Sequence, residues 1–429
     1  MHTGRLALLP GAADPALATG LLELIRRGRR VVGRNGALGV TRTPELRRIA
    51  GDGAPLEPAP LGAEQSNSSV AYDQSLVLKL FRRIEAGPNP EAELTGLLTR
   101  LGFPHVSPAA GTLEYHRRRG EPFTIGFLQG YVPNEGDTWA YTLDEVILFL
   151  ERALASENPV HPAPVPGHVV ELARTEPPAE ARDAIGAHLE FARLLGERTG
   201  QMHVALASTR DDAAFRPETF SALQQRALMQ SLRTLIRRVF AAARRAGGDL
   251  AELSGVEDGE QRALARMRAL LERPLTGMRI RTHGDFHLGQ VLWTGRDVVM
   301  IDFEGEPARP LGQRRLKRSP VQDVAGMLRS FHYAAYAALF RESGRGDAVG
   351  GPAEAWILTW RGWVSAAFVR AYREAVAPAG IVPEDDAEFG RLLDLFLLEK
   401  AVYELGYELD NRPDWVLIPA RGLEELLAE

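Results

Sequence analysis

From Thr142 onward the chain is patterned almost throughout for helices, and one stretch breaks that pattern: residues 281–307, RTHGDFHLGQVLWTGRDVVMIDFEGEP. It reads as strand, loop, strand. "MRIRTHGD" ends one strand, "FHLGQVLW" turns and begins another, "GRD" is a tight turn, and "VVMIDFEG" leaves an apolar strand on carboxylates. A hairpin of this shape brings Asp285, Gln290 and Asp302 toward one end. Any fold for this chain must therefore carry a polar β interruption inside a mainly helical body.

Two metal chemistries fit the stretch. His283, Asp285 and His287 alternate, so on a continuous strand they would share a face and could ligate zinc. No HExxH, no cysteine and no second histidine cluster supports that reading. The histidines serve equally well as loop residues, His283 bonding the backbone and His287 packing behind it. The other reading is phosphate transfer. A loop carboxylate, an amide oxygen five residues on and a carboxylate after an apolar strand suit Mg²⁺ held with a nucleotide, because magnesium takes hard oxygens, few of them from protein. The remaining carboxylate would orient an attacking hydroxyl and accept its proton.

Features elsewhere in the chain favour phosphate transfer. Lys79 stands alone in the apolar strand "SLVLKLF", where a charge is costly unless paired. "NPEAELTGLLTRLG" follows as a helix, capped by Asn89, with Pro90 in its first turn and Glu91 and Glu93 as partners for the lysine. A strand lysine tied to a helix glutamate is the arrangement of protein-kinase-like enzymes. The lysine could instead point to solvent from an edge strand. "EQSNSS", before it, is a hydroxyl-rich turn able to close over phosphates. No GxxxxGK[ST] is present, which disfavours a P-loop enzyme.

The bulk numbers set the frame. A chain of 429 residues exceeds one ordinary core, so two lobes or more are expected. The formal net charge of −5 implies no nucleic-acid partner, and no apolar run has membrane-span length. The absence of cysteine excludes disulfides, thiolate metal sites and cysteine nucleophiles together. The N-terminus lacks a secretory pattern, so a cytoplasmic protein is expected. A Pro-rich end at "GAPLEPAPLG" marks a boundary, which predicts a cap segment over 1–60, a β-rich lobe over 61–136 and a large helical lobe over 137–429. The fold class is α+β. Within the helical part, "RALMQSLRTLIRRVFAAARR" places Leu228, Leu232, Leu235 and Val239 on one face, and "HPAPVPGHVV" is a Pro-rich loop near residue 165. Near the C-terminus, Tyr403 and Tyr407 lie four apart, as do Glu404 and Glu408, followed by "NRPDW". Such faces suit a sugar, though a core-facing aromatic stripe has the same pattern.

"HGDFHLGQVL…MIDFEGEP" is similar to the catalytic and metal segments of aminoglycoside-phosphotransferase-like kinases. More narrowly, that stretch with "EQSNSSVAYDQSLVLKLFRR", "GFPHVSPAAGTLEY", "PNEGDTWAYTLD", "SPVQDVAGMLRSF" and "EKAVYELGYELDNRPDWVLIP" resembles the maltokinase family over roughly residues 61–429. The resemblance implies a two-lobed, protein-kinase-like sugar kinase that uses ATP and Mg²⁺ to make maltose 1-phosphate, with a functional link to a trehalose synthase and to glycogen biosynthesis. It implies Asp285 as base, Gln290 and Asp302 as metal ligands with Glu304 beside them, and Lys79 on the nucleotide phosphates with Glu93 as its partner and Glu91 the fallback. Ser66, Asn67, Ser68 and Ser69 would cover the phosphates, and Gln129, Tyr131 and Val132 would meet adenine. Asp323 and His283 would support the catalytic loop, while His287, Tyr407, Glu408 and Trp415 would meet the sugar. The chain departs from the pattern in its short N-terminal segment, in Gln322 and in His332. A glucosamine or aminoglycoside kinase would use the same machinery. A pseudokinase is disfavoured by the intact set of Lys79, Asp285, Gln290 and Asp302.

Overall fold

The computed structural model describes residues 14–51, 53–62, 67–155, 165, 167–246, 256–343 and 350–428. The chain divides into two compact units, one formed by residues up to Glu135 together with Thr294–Leu316, the other by Gly136–Trp293 and Lys317–Glu429.

The first unit is built on a seven-stranded antiparallel sheet. Its strands are β1 (Val31–Val32), β2 (Gly36–Arg42), β3 (Pro58–Pro60), β4 (Asn67–Tyr72), β5 (Leu76–Phe81), β6 (Ala109–Arg117) and β7 (Phe123–Gly130), in the order β1-β2-β6-β7-β5-β4-β3. Alternation along the strands sorts the two faces. Leu76 and Leu78 of β5 join Val70, Tyr72, Leu113 and Leu128 in a core closed by helices α1 (Pro15–Arg27) and α2 (Pro44–Ala50). Phe81, on the other parity of β5, packs with Ala109 and Phe127 against Ala92 of α3 (Pro90–Arg100). Lys79 shares that parity, so strand geometry delivers its ammonium to the α3 side.

Two boundaries differ from the sequence reading. The segment 1–60 is not a separate cap: its strands occupy both edges of the sheet, β1 and β2 beyond β6, and β3 beside β4. Residues 294–316 belong with the first unit rather than with the helical lobe. Met300 donates its N–H to His105 O at 2.9 Å and forms a parallel bridge with Val106, which ties the carboxylate-bearing strand there.

The second unit is helical: α4 (Thr138–Leu154), α5 (Ala179–Ile185), α6 (His188–Ala207), α7 (Ala222–Ala246), α8 (Val256–Leu270), α9 (Val321–Ser343), α10 (Pro352–Val376), α11 (Asp386–Asn411) and α12 (Leu417–Ala428), with shorter turns between them. None of its helices, nor any other among the described residues, is long and apolar enough to cross a membrane. Helices α6 and α10 run in close contact because Gly196 and Gly200 sit one turn apart. A Cβ on Gly196 would stand 2.2 Å from Phe368 O, closer than any carbon tolerates. On α7 the buried face is Leu232, Ile236, Val239, Phe240 and Ala243. It contains two of the four predicted positions; Leu228 and Leu235 are half-buried at its margin. The Pro-rich loop near residue 165 lies almost wholly outside the described residues.

A buried imidazole sits in this helical core. His188 is fully buried among Tyr141, Phe191 and Trp360, with ring centroids 4.9 to 5.7 Å away, and neither ring nitrogen has a hydrogen-bond partner. Burial pushes its pKa down to about 3. Unfolded histidine takes its proton near its ordinary 6.5, so the penalty is absent above that pH, grows as pH falls, and saturates near the folded value. Stability should therefore fall by about 1.4 kcal/mol per pH unit within that window. His188→Phe keeps the packing and should flatten the acid side of the melting-temperature profile. Parallel profiles for wild type and variant between those pH values would contradict this.

Candidate active site

In the first unit, three carboxylates gather on one ammonium. Lys79 Nζ lies 3.1 Å from Glu91 Oε2, 2.5 Å from Asp302 Oδ1 and 3.0 Å from Glu304 Oε1. Burial pulls the pKa of the lysine down. The three carboxylates outweigh it and hold the ammonium well above its usual range. Burial also acts on Glu91, and Asp302 and Glu304 add to it against the opposing Lys79, so its carboxyl is pushed up to about 8. Asn67 Nδ2 donates to Glu304 Oε1 at 2.6 Å, and Arg314 stands 3.8 Å from Oε2 of the same residue. Asp302 holds a left-handed backbone (φ 63) that non-glycine residues rarely adopt uncompensated. Its ion pair with Lys79 offsets that strain.

The lysine's helix partner is Glu91, not Glu93. Asn89 caps α3 by accepting from Glu91 N–H at 2.8 Å, and this sets the helical phase. Glu91 then shares the inner face with Leu94, Thr95 and Leu98, while Glu93 turns away to a two-point pair with Arg315 at 2.8 Å. Part of the expected covering turn is strand. Asn67, Ser68 and Ser69 are ladder residues of β4, opposite Phe81, Leu80 and Lys79. Ser66 lies outside the described residues. At the end of β7, Gln129 is in register with Val77, Tyr131 donates its N–H to Ser75 O at 2.8 Å, and Val132 O accepts from Asn134.

In the second unit, the loop carrying Asp285 lies along a strip of α9. Asp323 accepts from the N–H groups of His283 at 2.8 Å and Gly284 at 2.9 Å. Its Oδ2 is also 3.0 Å from His203 Nε2, whose other nitrogen meets the Tyr372 hydroxyl. One turn on, Gly326 lets the backbone of Phe286 approach: a Cβ there would stand 2.5 Å from Phe286 O. One turn further, the Ser330 hydroxyl accepts from Leu288 N–H at 3.1 Å. Asp323, Gly326 and Ser330 follow the i, i+3, i+7 spacing of one helix face. Only Asp323 was singled out from the sequence, although a glycine and a serine at that spacing in an apolar helix were a legible signal.

Asp285 meets a partner the sequence reading missed. Lys400 of α11 places Nζ 3.2 Å from Asp285 Oδ1. Burial pushes the Asp285 carboxyl up, but Lys400, with His287 and His283, outweighs it and holds the group below the usual carboxylate range. His287 Nδ1 accepts from Gly289 N–H at 3.1 Å and so caps the 3-10 turn Leu288–Gln290, while Gln290 N–H bonds His287 O. No histidine pair collects as a metal cluster among the described residues; the one group found is Glu91, Asp302 and Glu304, with ligand atoms within 4.8 Å of one another.

The C-terminal segment is largely committed to its own packing. Glu408 is buried, and its carboxylate accepts from the Tyr333 hydroxyl at 3.0 Å and from Arg412 at 2.6 and 2.9 Å. Its carboxylate is thus engaged within its own packing. The Arg412 guanidinium lies over both Tyr407 and Trp415, and Trp415 stacks on Tyr333. Of these aromatic residues Tyr407 is the one left exposed.

A sheet-based unit with a lysine–glutamate pair and a helical unit with a buttressed Asp loop are matched by known proteins. Residues 144–356 match the profile described as "Phosphotransferase enzyme family", and the fold is shared with a solved glucosamine kinase at a TM-score of 0.65, 21% identity and 93% coverage of both chains. The fold is that of aminoglycoside phosphotransferases and protein kinases. That solved kinase holds glucosamine, ADP and inorganic phosphate. Two curated proteins similar to this chain are glucosamine kinases. The one from Streptacidiphilus jiangxiensis is 26% identical, covering 85% of this chain and 72% of its own. The one from Mycolicibacterium smegmatis is 25% identical, covering 86% and 79%.

Proposed function

We propose that this chain is an ATP-dependent sugar kinase. The observation that carries the reading is the buried Lys79 ammonium tied to Glu91 and surrounded by Asp302 and Glu304. A charge is put in such a place to bind charge, and nucleotide phosphates suit a lysine held ready by a helix glutamate. Asp302 and Glu304 are hard oxygen donors crowded with a third acid, a donor set that fits Mg²⁺. When bound, Mg²⁺ would neutralise charge on the phosphates. Gln290 is proposed as a further oxygen donor, and Gln129, Tyr131 and Val132 as the adenine contacts.

Asp285 is the proposed base. Its carboxylate, ionised and held by a loop whose N–H groups are pinned to Asp323, would take the proton of the acceptor hydroxyl. That oxygen forms its bond to the γ-phosphorus as the bond to the β-phosphate oxygen breaks, and ADP leaves. Positioning supplies most of the acceleration in such transfers.

Two acceptors are supported by different observations. The run of motifs from "EQSNSS" to "NRPDWVLIP" favours maltose, phosphorylated on its anomeric hydroxyl; the trehalose synthase link follows only with that acceptor. The glucosamine kinase relatives favour glucosamine. An acceptor panel with ATP, with the phosphorylated position read by NMR, decides between them. Maltose 1-phosphate is the expected product. A glucosamine kcat/KM far above that for maltose would move the assignment to the amino sugar, and ATP binding without turnover of any sugar would remove the kinase reading.

A further inference from the structure

Lys400 precedes Glu404 and Glu408 on α11 by one and two turns. Its ammonium is 3.2 Å from Asp285 Oδ1 and stands over the Tyr403 ring, 5.3 Å from the centroid. The acids that follow it are already matched. Glu404 Oε2 accepts from Arg329 Nε at 2.8 Å, and Glu408 is taken by Arg412 and Tyr333. Along Lys400, Glu404 and Glu408, the helix thus presents a positive charge next to Asp285 and no surplus carboxylate. The charged and titratable groups facing Asp285 are Lys400 from α11, and His287 and His283 from its own loop.

We propose that Lys400 is a positioning and specificity residue: it holds Asp285 by Oδ1, leaves Oδ2 to the acceptor hydroxyl, and disfavours acceptors bearing an ammonium group beside that hydroxyl. A lysine stem reaching one carboxylate oxygen fixes the rotation of the group and so the direction of its second oxygen. The same ammonium repels a cation that must approach Asp285, whereas a neutral polyol meets no such opposition. Like charges a few ångströms apart in a half-buried site cost enough for about a tenfold discrimination. The inference rests on the sugar-kinase reading and narrows its acceptor by charge.

The test compares wild type, Lys400→Gln and Lys400→Arg with maltose and glucosamine across the pH range. Lys400→Gln should lower kcat for maltose about tenfold or more, with KM for ATP unchanged, and move the acid limb of the pH profile upward. It should also raise the glucosamine-to-maltose ratio of kcat/KM about tenfold. Lys400→Arg keeps the charge and should restore both the limb and the ratio. An unmoved limb with an unchanged ratio overturns the proposal. Should wild type turn over no sugar, the kinase reading fails separately, and the pairing is then judged by carboxyl ¹³C NMR. An Asp285 titration unaffected by Lys400→Gln would overturn it there as well.

Discussion

Asp285→Asn should lower kcat by about 10²–10⁴-fold or more, the contribution of a positioned general base, while ATP still binds with near wild-type affinity. Asparagine fills the same volume and its amide oxygen can still accept from Lys400, so the loop keeps its shape. The N–H groups of His283 and Gly284 remain bonded to Asp323, which the substitution does not touch. What is lost is a site for the hydroxyl proton. Steady-state rates on the preferred sugar, together with calorimetric titration of ATP, check both halves. Turnover close to wild type would remove Asp285 from its role.

Lys79→Met should damage stability and catalysis together. The side chain is 7% exposed, and its removal leaves Glu91, Asp302 and Glu304 facing one another. Breaking a buried ion pair by deleting one partner costs about 3–5 kcal/mol, which should appear as a clear fall in melting temperature. Loss of the phosphate-binding charge should lower kcat by about 10²–10³-fold, as removal of one preorganised donor does. The variant offers an internal control: Mg²⁺ without nucleotide should raise its melting temperature more than that of wild type, because three crowded carboxylates then lack their cation. Equal shifts in the two proteins would show that these acids do not form a cation site.

Local patterns carried much of this. The lone lysine in β5, the capped helix behind it and the carboxylates ending the 298–300 strand are all readable over a few residues. They lead to residues that the structure gathers around Lys79. The choice between Glu91 and Glu93 was also readable, since Leu94 and Leu98 define the inner face and Glu91 falls on it by helical phase. Other features have no local signature. Lys400 meets Asp285 across 115 residues, and nothing in "LLEKAVYEL" distinguishes that lysine from a solvated one. The burial of Glu408 with Tyr333 and Arg412 depends on tertiary packing and leaves no mark in the local sequence. The N-terminal strands looked like a separate cap because sheet order is not visible in a linear sequence.

The first unit is discontinuous, resuming at Thr294 after the chain has passed through the start of the second. On a ribosome this has a consequence in time. When residue 135 has emerged, the sheet can pair, but Lys79 has only Glu91 for company. Asp302 and Glu304 arrive more than 160 residues later, about 8 to 33 seconds at ordinary elongation rates. Until then the nascent sheet carries a lysine destined for burial that is only partly compensated, and it should stay loosely packed around β5 and α3. A protein truncated after residue 135 would be held permanently in that condition.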